Sequence, residues 1–155
     1  MNHAFVLGSA VFLVLAARAG GPLAQSSSDV EAIKAANAGF YAALSARDAG
    51  ALDRVWDHDG QVFNFGVSKA PMVGWTAVKS GYEDLFNRFP ELSVSMADPS
   101  IRQDAGTAVV VGVETQKVRL PNGEVASALL PGTNVFVKHS GRWLMVHHHS
   151  SRPPQ

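Results

Sequence analysis

Val30, Ile33, Asn37, Phe40 and Leu44 recur at three- and four-residue intervals through SSSDVEAIKAANAGFYAALSARD, which predicts an amphipathic helix with those side chains on its inward face. Ser28 and Glu31 stand at capping-box spacing at its start. Tyr41 lies about 100° around the helix from Phe40, which puts it off that stripe. Asp48 is placed to cap a second, short helix through AGALDRVW, ending near Trp56. DHDG reads as a turn, and QVFNFGV then alternates Val62, Asn64 and Gly66 against Phe63, Phe65 and Val67, the period of a strand. KAPMVG reads as loop, and a third helix through WTAVKSGYEDLFNRF is stopped by Pro90. Beyond that the pattern is strand and turn: ELSVSMA, the β-branched TAVVVGVETQKVRL, a PNG hairpin turn at Pro121–Gly123, EVASALLPGTNVFVKH, a second turn at Ser140–Gly141, and RWLMVHHHSS.

Helices set apart from hairpin-connected strands define an α+β class. The order is helix, short helix, strand, helix and four strands, and a long curved sheet wrapped around one helix naturally encloses a cone-shaped cavity. Such a cavity is a natural small-molecule pocket.

The first 25 residues break the pattern. AFVLGSAVFLVLAA is an apolar run broken by Ser9 alone, short for a membrane span, and the small residues of ARAGGPLAQ come at its end. That order is expected of a secretory signal peptide over residues 1–25, with cleavage after Ala19 or Ala24, against the alternative of a retained anchor. A periplasmic or secreted domain over residues 26–155, with no stable membrane association once the signal is removed, is the expectation. Of 155 residues 46% are hydrophobic and 17% charged, enough to build one core. Thirteen basic residues balance thirteen acidic ones, which excludes the electrostatic footprint of a nucleic-acid binder. The absence of cysteine excludes disulfides, thiol nucleophiles and thiolate metal sites.

FYAALSARDAGALDRVWDHDGQVFNF, GWTAVKSGYEDLF and TNVFVKHSGRWLMVHHHSSRPP together resemble the SnoaL-like domains of the nuclear transport factor 2-like superfamily, over nearly the whole of residues 26–155. The resemblance implies a nuclear transport factor 2-like, or cystatin-like, cone-shaped fold. Ketosteroid isomerase, in that superfamily, uses a first-helix tyrosine as oxyanion donor and a strand aspartate as base. Alignment puts these on Phe40 and Asn64, neither of which can do that work. The closing strand is similar to that of the calcium/calmodulin-dependent protein kinase II association domain at Trp143, Val146, His147, His149, Ser151 and Pro153. The arginines lining that domain's pocket fall on Val113, Asn134 and Ser150, so a more neutral, apolar pocket is implied.

Three consecutive histidines are the most conspicuous polar feature. Strand alternation places His147 and His149 on one face with Trp143, Met145 and Ser151, and His148 on the other with Leu144, Val146 and Ser150. If Ser150 lines the pocket, so does His148, which makes it the candidate acid or base. His147 and His149 have spacing acceptable for zinc, but no third ligand is nominated; no metal and no cofactor are expected. Phe40, Asn64, Trp75, Tyr82, Val113, Asn134 and Ser150 are the expected pocket residues. Glu114 is placed mid-strand, where an outward, half-exposed glutamate is the simpler expectation and a buried acid or base the alternative. Asp59 belongs to a turn and His58 beside it to the surface.

Two readings of function stand. One is an exported, homodimeric domain that holds a small, mostly apolar molecule and carries out proton transfer of the isomerase, cyclase or dehydratase kind. The other is a non-catalytic assembly module like the kinase association domain.

Overall fold

A computed structural model describes residues 27–66 and 70–152. The signal-peptide reading of residues 1–25 and the match at Pro153 lie outside the described residues. No helix among the described residues is long and apolar enough to cross a membrane.

Among the described residues, three helices and seven strands follow in the order α1 (Ser27–Ala46), α2 (Ala49–Val55), β1 (Phe63–Phe65), β2 (Met72–Val73), α3 (Trp75–Arg88), β3 (Leu92–Met96), β4 (Ser100–Asp104), β5 (Thr107–Arg119), β6 (Val125–His139) and β7 (Arg142–Ser150). The α+β class stands as read. α1 is already helical at Ser27, so Ser28 is within it rather than its cap. Asp48 does cap α2, its carboxylate accepting from the Ala51 N–H at 2.9 Å.

All seven strands form one curved, unclosed sheet ordered β2-β1-β7-β6-β5-β3, with β4 paired to the first half of β5 and β3 to the second. Among the named strands of the described residues, β1 and β7 pair in parallel and the other pairings are antiparallel. Two short strands depart from the pattern. Met72–Val73, read as loop, pairs with Phe63–Asn64. Ser100–Asp104 pairs across a turn in which Ala105 and Gly106 both have positive φ. The β6–β7 turn likewise takes positive φ at Ser140 (49°) and Gly141 (81°), the backbone a two-residue hairpin needs.

α1 packs across β3 and β7 with Ile33, Asn37, Phe40, Tyr41 and Leu44 all buried. Tyr41 is thus part of the inward face, because a core-facing stripe is wider than a single row of side chains. The second departure is in β7. Val135 pairs with His147 but Phe136 pairs with Met145, so Val146 is an extra, unpaired residue. This β-bulge breaks strict alternation. Trp143 and Met145 enter the core before it, and His148 is buried after it. The expected sharing of a face by Met145, His147 and His149 is therefore overturned, while the inward direction of His148 stands.

Candidate functional site

Four strands and two helices bring a polar cluster to the concave side of the sheet. β1 supplies Asn64, β5 Glu114, β6 Asn134 and β7 His148; α1 supplies Asn37 and Tyr41, and α3 supplies Tyr82. Register explains the convergence. Asn64 on β1 and Asn134 on β6 flank His148 on β7, and Asn134 faces Val110 on β5, four residues from Glu114 on the same face.

The hydrogen bonds fix the protonation pattern. Asn134 Nδ2 donates to Asn37 Oδ1 at 2.7 Å and to the Tyr41 hydroxyl at 3.0 Å. Asn134 Oδ1 lies 2.7 Å from His148 Nδ1; an amide oxygen only accepts, so Nδ1 carries the proton. Nε2 is then the acceptor nitrogen of a neutral ring. Burial, with His147 and His149 nearby, pushes the His148 pKa down to about 3, so the ring is neutral throughout the physiological range.

Tyr41 relays the chain onward, its hydroxyl donating to Glu114 Oε1 at 2.8 Å. The same carboxylate oxygen is 3.8 Å from His148 Nδ1. Glu114 is 2% exposed. Desolvation pushes its pKa up to about 7, with the Tyr41 and Ser150 hydroxyls pulling the other way. A carboxyl balanced between its two forms near neutrality is matched to proton transfer. The expectation of a half-exposed Glu114 is thus overturned, and the alternative is what the fold builds. The parity of β5 carries the signal: an inward Asn134 makes Val110, Gly112 and Glu114 inward too.

A cleft of about 310 Å³ opens beside the cluster. Leu44, Leu85, Phe89, Val94, Val118 and Leu130 give it apolar walls. Tyr82, Glu114, Gln116, His148 and Ser150 supply polar groups, and Arg88 and Arg152 complete the lining. Gly66 matters to its shape, since a Cβ there would lie 2.9 Å from Ser150 Oγ and 3.3 Å from His148 Nε2. The absent side chain keeps open the space those two atoms face. Asn64 is fully buried, and neither its amide nor the buried Tyr82 hydroxyl makes a hydrogen bond of good geometry. Burial first, then Glu114 and Tyr41, raise the Tyr82 pKa well above its ordinary value, so it is a phenol and a donor.

The expected pocket residues divide. Tyr82, Ser150 and His148 line the cleft. Asn64 and Asn134 sit behind His148 in the polar cluster. Phe40 is wholly buried with its ring 4.9 Å from that of His148, a wall of the core rather than of the cleft. Trp75 is not brought in: its Nε1 donates to Asp53 at 3.0 Å and its ring stacks on Trp56 and His58, bracing α2 against α3. Val113 is 52% exposed, on the face opposite Glu114. Asn37, Tyr41 and Glu114 are the members of the cluster that stand outside the expected pocket residues.

His147 and His149 are on the outer side, ring centroids 6.5 Å apart, with His149 stacked on Phe65. A separate group of metal-ligating types, Asp57, Asp59 and His139, gathers where α2 leads into β1, the imidazole reaching Asp57 at 3.6 Å and Asp59 at 3.5 Å.

The family model described as "SnoaL-like domain" matches residues 33–155. No curated protein matches the chain. Among solved structures, a nuclear transport factor 2-like family protein from Streptomyces avermitilis superposes with a TM-score of 0.76 at 22% identity, covering 83% of this chain and 98% of that one. A nuclear transport factor 2-like superfamily protein from Salmonella enterica serovar Typhimurium gives 0.76 at 16% identity, over 84% and 94% of the two chains. The calcium/calmodulin-dependent protein kinase II hub of S. rosetta gives 0.64 at 19% identity, over 79% and 95%. At these identities the similarity is one of fold.

Proposed function

The chain belongs to the SnoaL-like domain family, and on that footing we propose that it holds a small, mostly apolar molecule in the cleft and moves a proton on it. Proton transfer of the isomerase, cyclase or dehydratase kind is the chemistry. The observation that carries this reading is the pairing of Glu114, with its pKa near 7, and a neutral His148 whose tautomer is fixed by Asn134. Glu114 takes up or gives the proton. His148 presents Nε2 as an acceptor in the gap beside Ser150. A pKa of about 3 makes His148 the weaker base of the two, so its part is to orient and to accept a hydrogen bond. Export of the domain, expected from residues 1–25, belongs to the same proposal.

Incubation with small enolisable cyclic ketones in D₂O tests it. Deuterium should enter the α-position faster than in buffer, the rate falling to background in Glu114→Gln and dropping in His148→Gln. Wild-type protein that exchanges no ketone above background would end the proton-transfer reading.

A homodimer is proposed on a different observation. Phe63, Phe65, Val109, Val111, Val113 and Leu129 are all exposed, and all but Leu129 at the far end of β6 belong to β1 and β5 on the outer side of the sheet. So broad an apolar surface favours a second copy as its cover. An assembly role, the alternative reading, needs this surface but not the polar cluster, and the ketone assay separates the two.

A further inference from the structure

The titratable groups on the cleft do not cancel. Two guanidiniums, Arg88 and Arg152, share its lining with one carboxyl, Glu114, and one imidazole, His148. His148 is neutral, and Glu114 carries at most a single negative charge, part of it lost near neutrality. The cleft is therefore net positive in a chain whose thirteen basic and thirteen acidic residues balance. Arg88 is the last residue of α3 and Arg152 is the second residue beyond β7, so two separate parts of the chain bring their cations to one opening. Both residues are solvent-exposed, which places them at the mouth, whereas Glu114 and His148 are buried at the floor. Neither arginine enters an ion pair among the described residues, while Arg119 is paired with Glu91 at 2.7 Å. Neither occupies one of the positions, Val113, Asn134 and Ser150, to which the association-domain resemblance assigns arginines.

Resting on the reading of this cleft as a ligand site, we infer that its ligand is an amphipathic oxyanion, most simply a small carboxylic acid, with its anionic head between Arg88 and Arg152 and its apolar body against Leu85, Phe89, Val118 and Leu130. Guanidinium forks match carboxylate geometry, and solvent at the mouth lets the head bind without full desolvation. The apolar walls take the rest of the molecule and point it toward the polar floor. The more neutral, apolar pocket that the association-domain resemblance implies thereby gains a cationic rim.

Matched acid and amide pairs test this: benzoate with benzamide, cinnamate with cinnamamide, octanoate with octanamide. Isothermal titration should show at least one acid bound about tenfold more tightly than its amide at low salt, the preference shrinking as salt is added. In the doubly substituted Arg88→Gln, Arg152→Gln protein, whose fold is checked by circular dichroism, the acid should fall to the amide's affinity. Equal binding of acid and amide by the wild type, or a preference that survives in the double variant, overturns the inference and leaves the apolar cleft standing. If no acid and no amide binds, the reading of the cleft as a ligand site falls with it.

Discussion

The Tyr41 hydroxyl donates to Glu114 Oε1 across 2.8 Å of buried space, joining α1 to the middle of β5. It is a side-chain link between first helix and sheet at the point where the carboxyl must be held. The bond favours the ionised form of Glu114 and so restrains the rise that burial imposes.

Removal of that hydroxyl should have two readouts. Tyr41→Phe should move the Glu114 pKa above its value of about 7, followed by carboxyl carbon NMR. It should also cost about 1–3 kcal/mol in chemical unfolding, because an Asn134 N–H loses its acceptor. A Glu114 pKa that stays put would mean the bond does not tune the carboxyl.

Stability against pH should show two opposing slopes. The folded pKa of His148 is depressed, so the unfolded chain binds the extra proton between about 3 and 6.5 and stability rises with pH there. The folded pKa of Glu114 is raised, so the native state binds the extra proton between 4.5 and about 7 and stability falls with pH there. Each contributes a slope of roughly 1.4 kcal/mol per pH unit within its window. The wild type should therefore gain stability up to about pH 4.5, then level off where the windows overlap. Urea unfolding of Glu114→Gln should show the rise continuing to about pH 6.5, and of His148→Gln a decline over the Glu114 window. A Glu114→Gln profile identical to the wild type would remove the raised pKa.

Gly66→Ala should close the cleft without unfolding the domain. Its new Cβ would meet Ser150 Oγ and His148 Nε2 at 2.9 and 3.3 Å, so the gap between them is filled. Binding of any ligand that reaches the floor should weaken about tenfold or more, with the melting temperature little changed. Unchanged affinity would show that ligand does not pass Gly66.

Charge on the outer sheet face should dissociate the proposed dimer. Val111, 42% exposed, lies between the exposed Val109 and Val113 on that face of β5, and Val111→Glu should yield a monomer by light scattering. Ketone exchange should persist in that monomer, since the cleft opens on the other side of the sheet.

Much of this structure is legible in residue patterns. The alternation around Asn64 gives the buried asparagine of β1, Asp48 marks the start of α2, and the Ser140–Gly141 pair marks a hairpin. The failures have physical causes. Ser100–Asp104 is a short edge strand in which Ile101 is the single apolar side chain, so alternation leaves little trace in its sequence. Tyr41 lies outside a stripe one row wide, but the face that α1 buries is wider than that. Val113 and Glu114 are adjacent on one strand and cannot both face inward; a residue-by-residue transfer from a relative chose the wrong one. Hydrogen-bond parity with Asn134 chooses the right one, which makes the register of β5 against β6 more informative than the identity of either residue.

The bulge at Val146 gives the histidine triplet a meaning of its own. Beyond the extra residue, the last part of β7 sets its register separately from the hairpin that precedes it. A slip of one residue ordinarily replaces every inward side chain with its neighbour. Here both neighbours of His148 are histidines, so a slip in either direction would still deliver an imidazole to the cavity floor. Among the described residues, the repetition coincides with the place where the register of the sheet is interrupted.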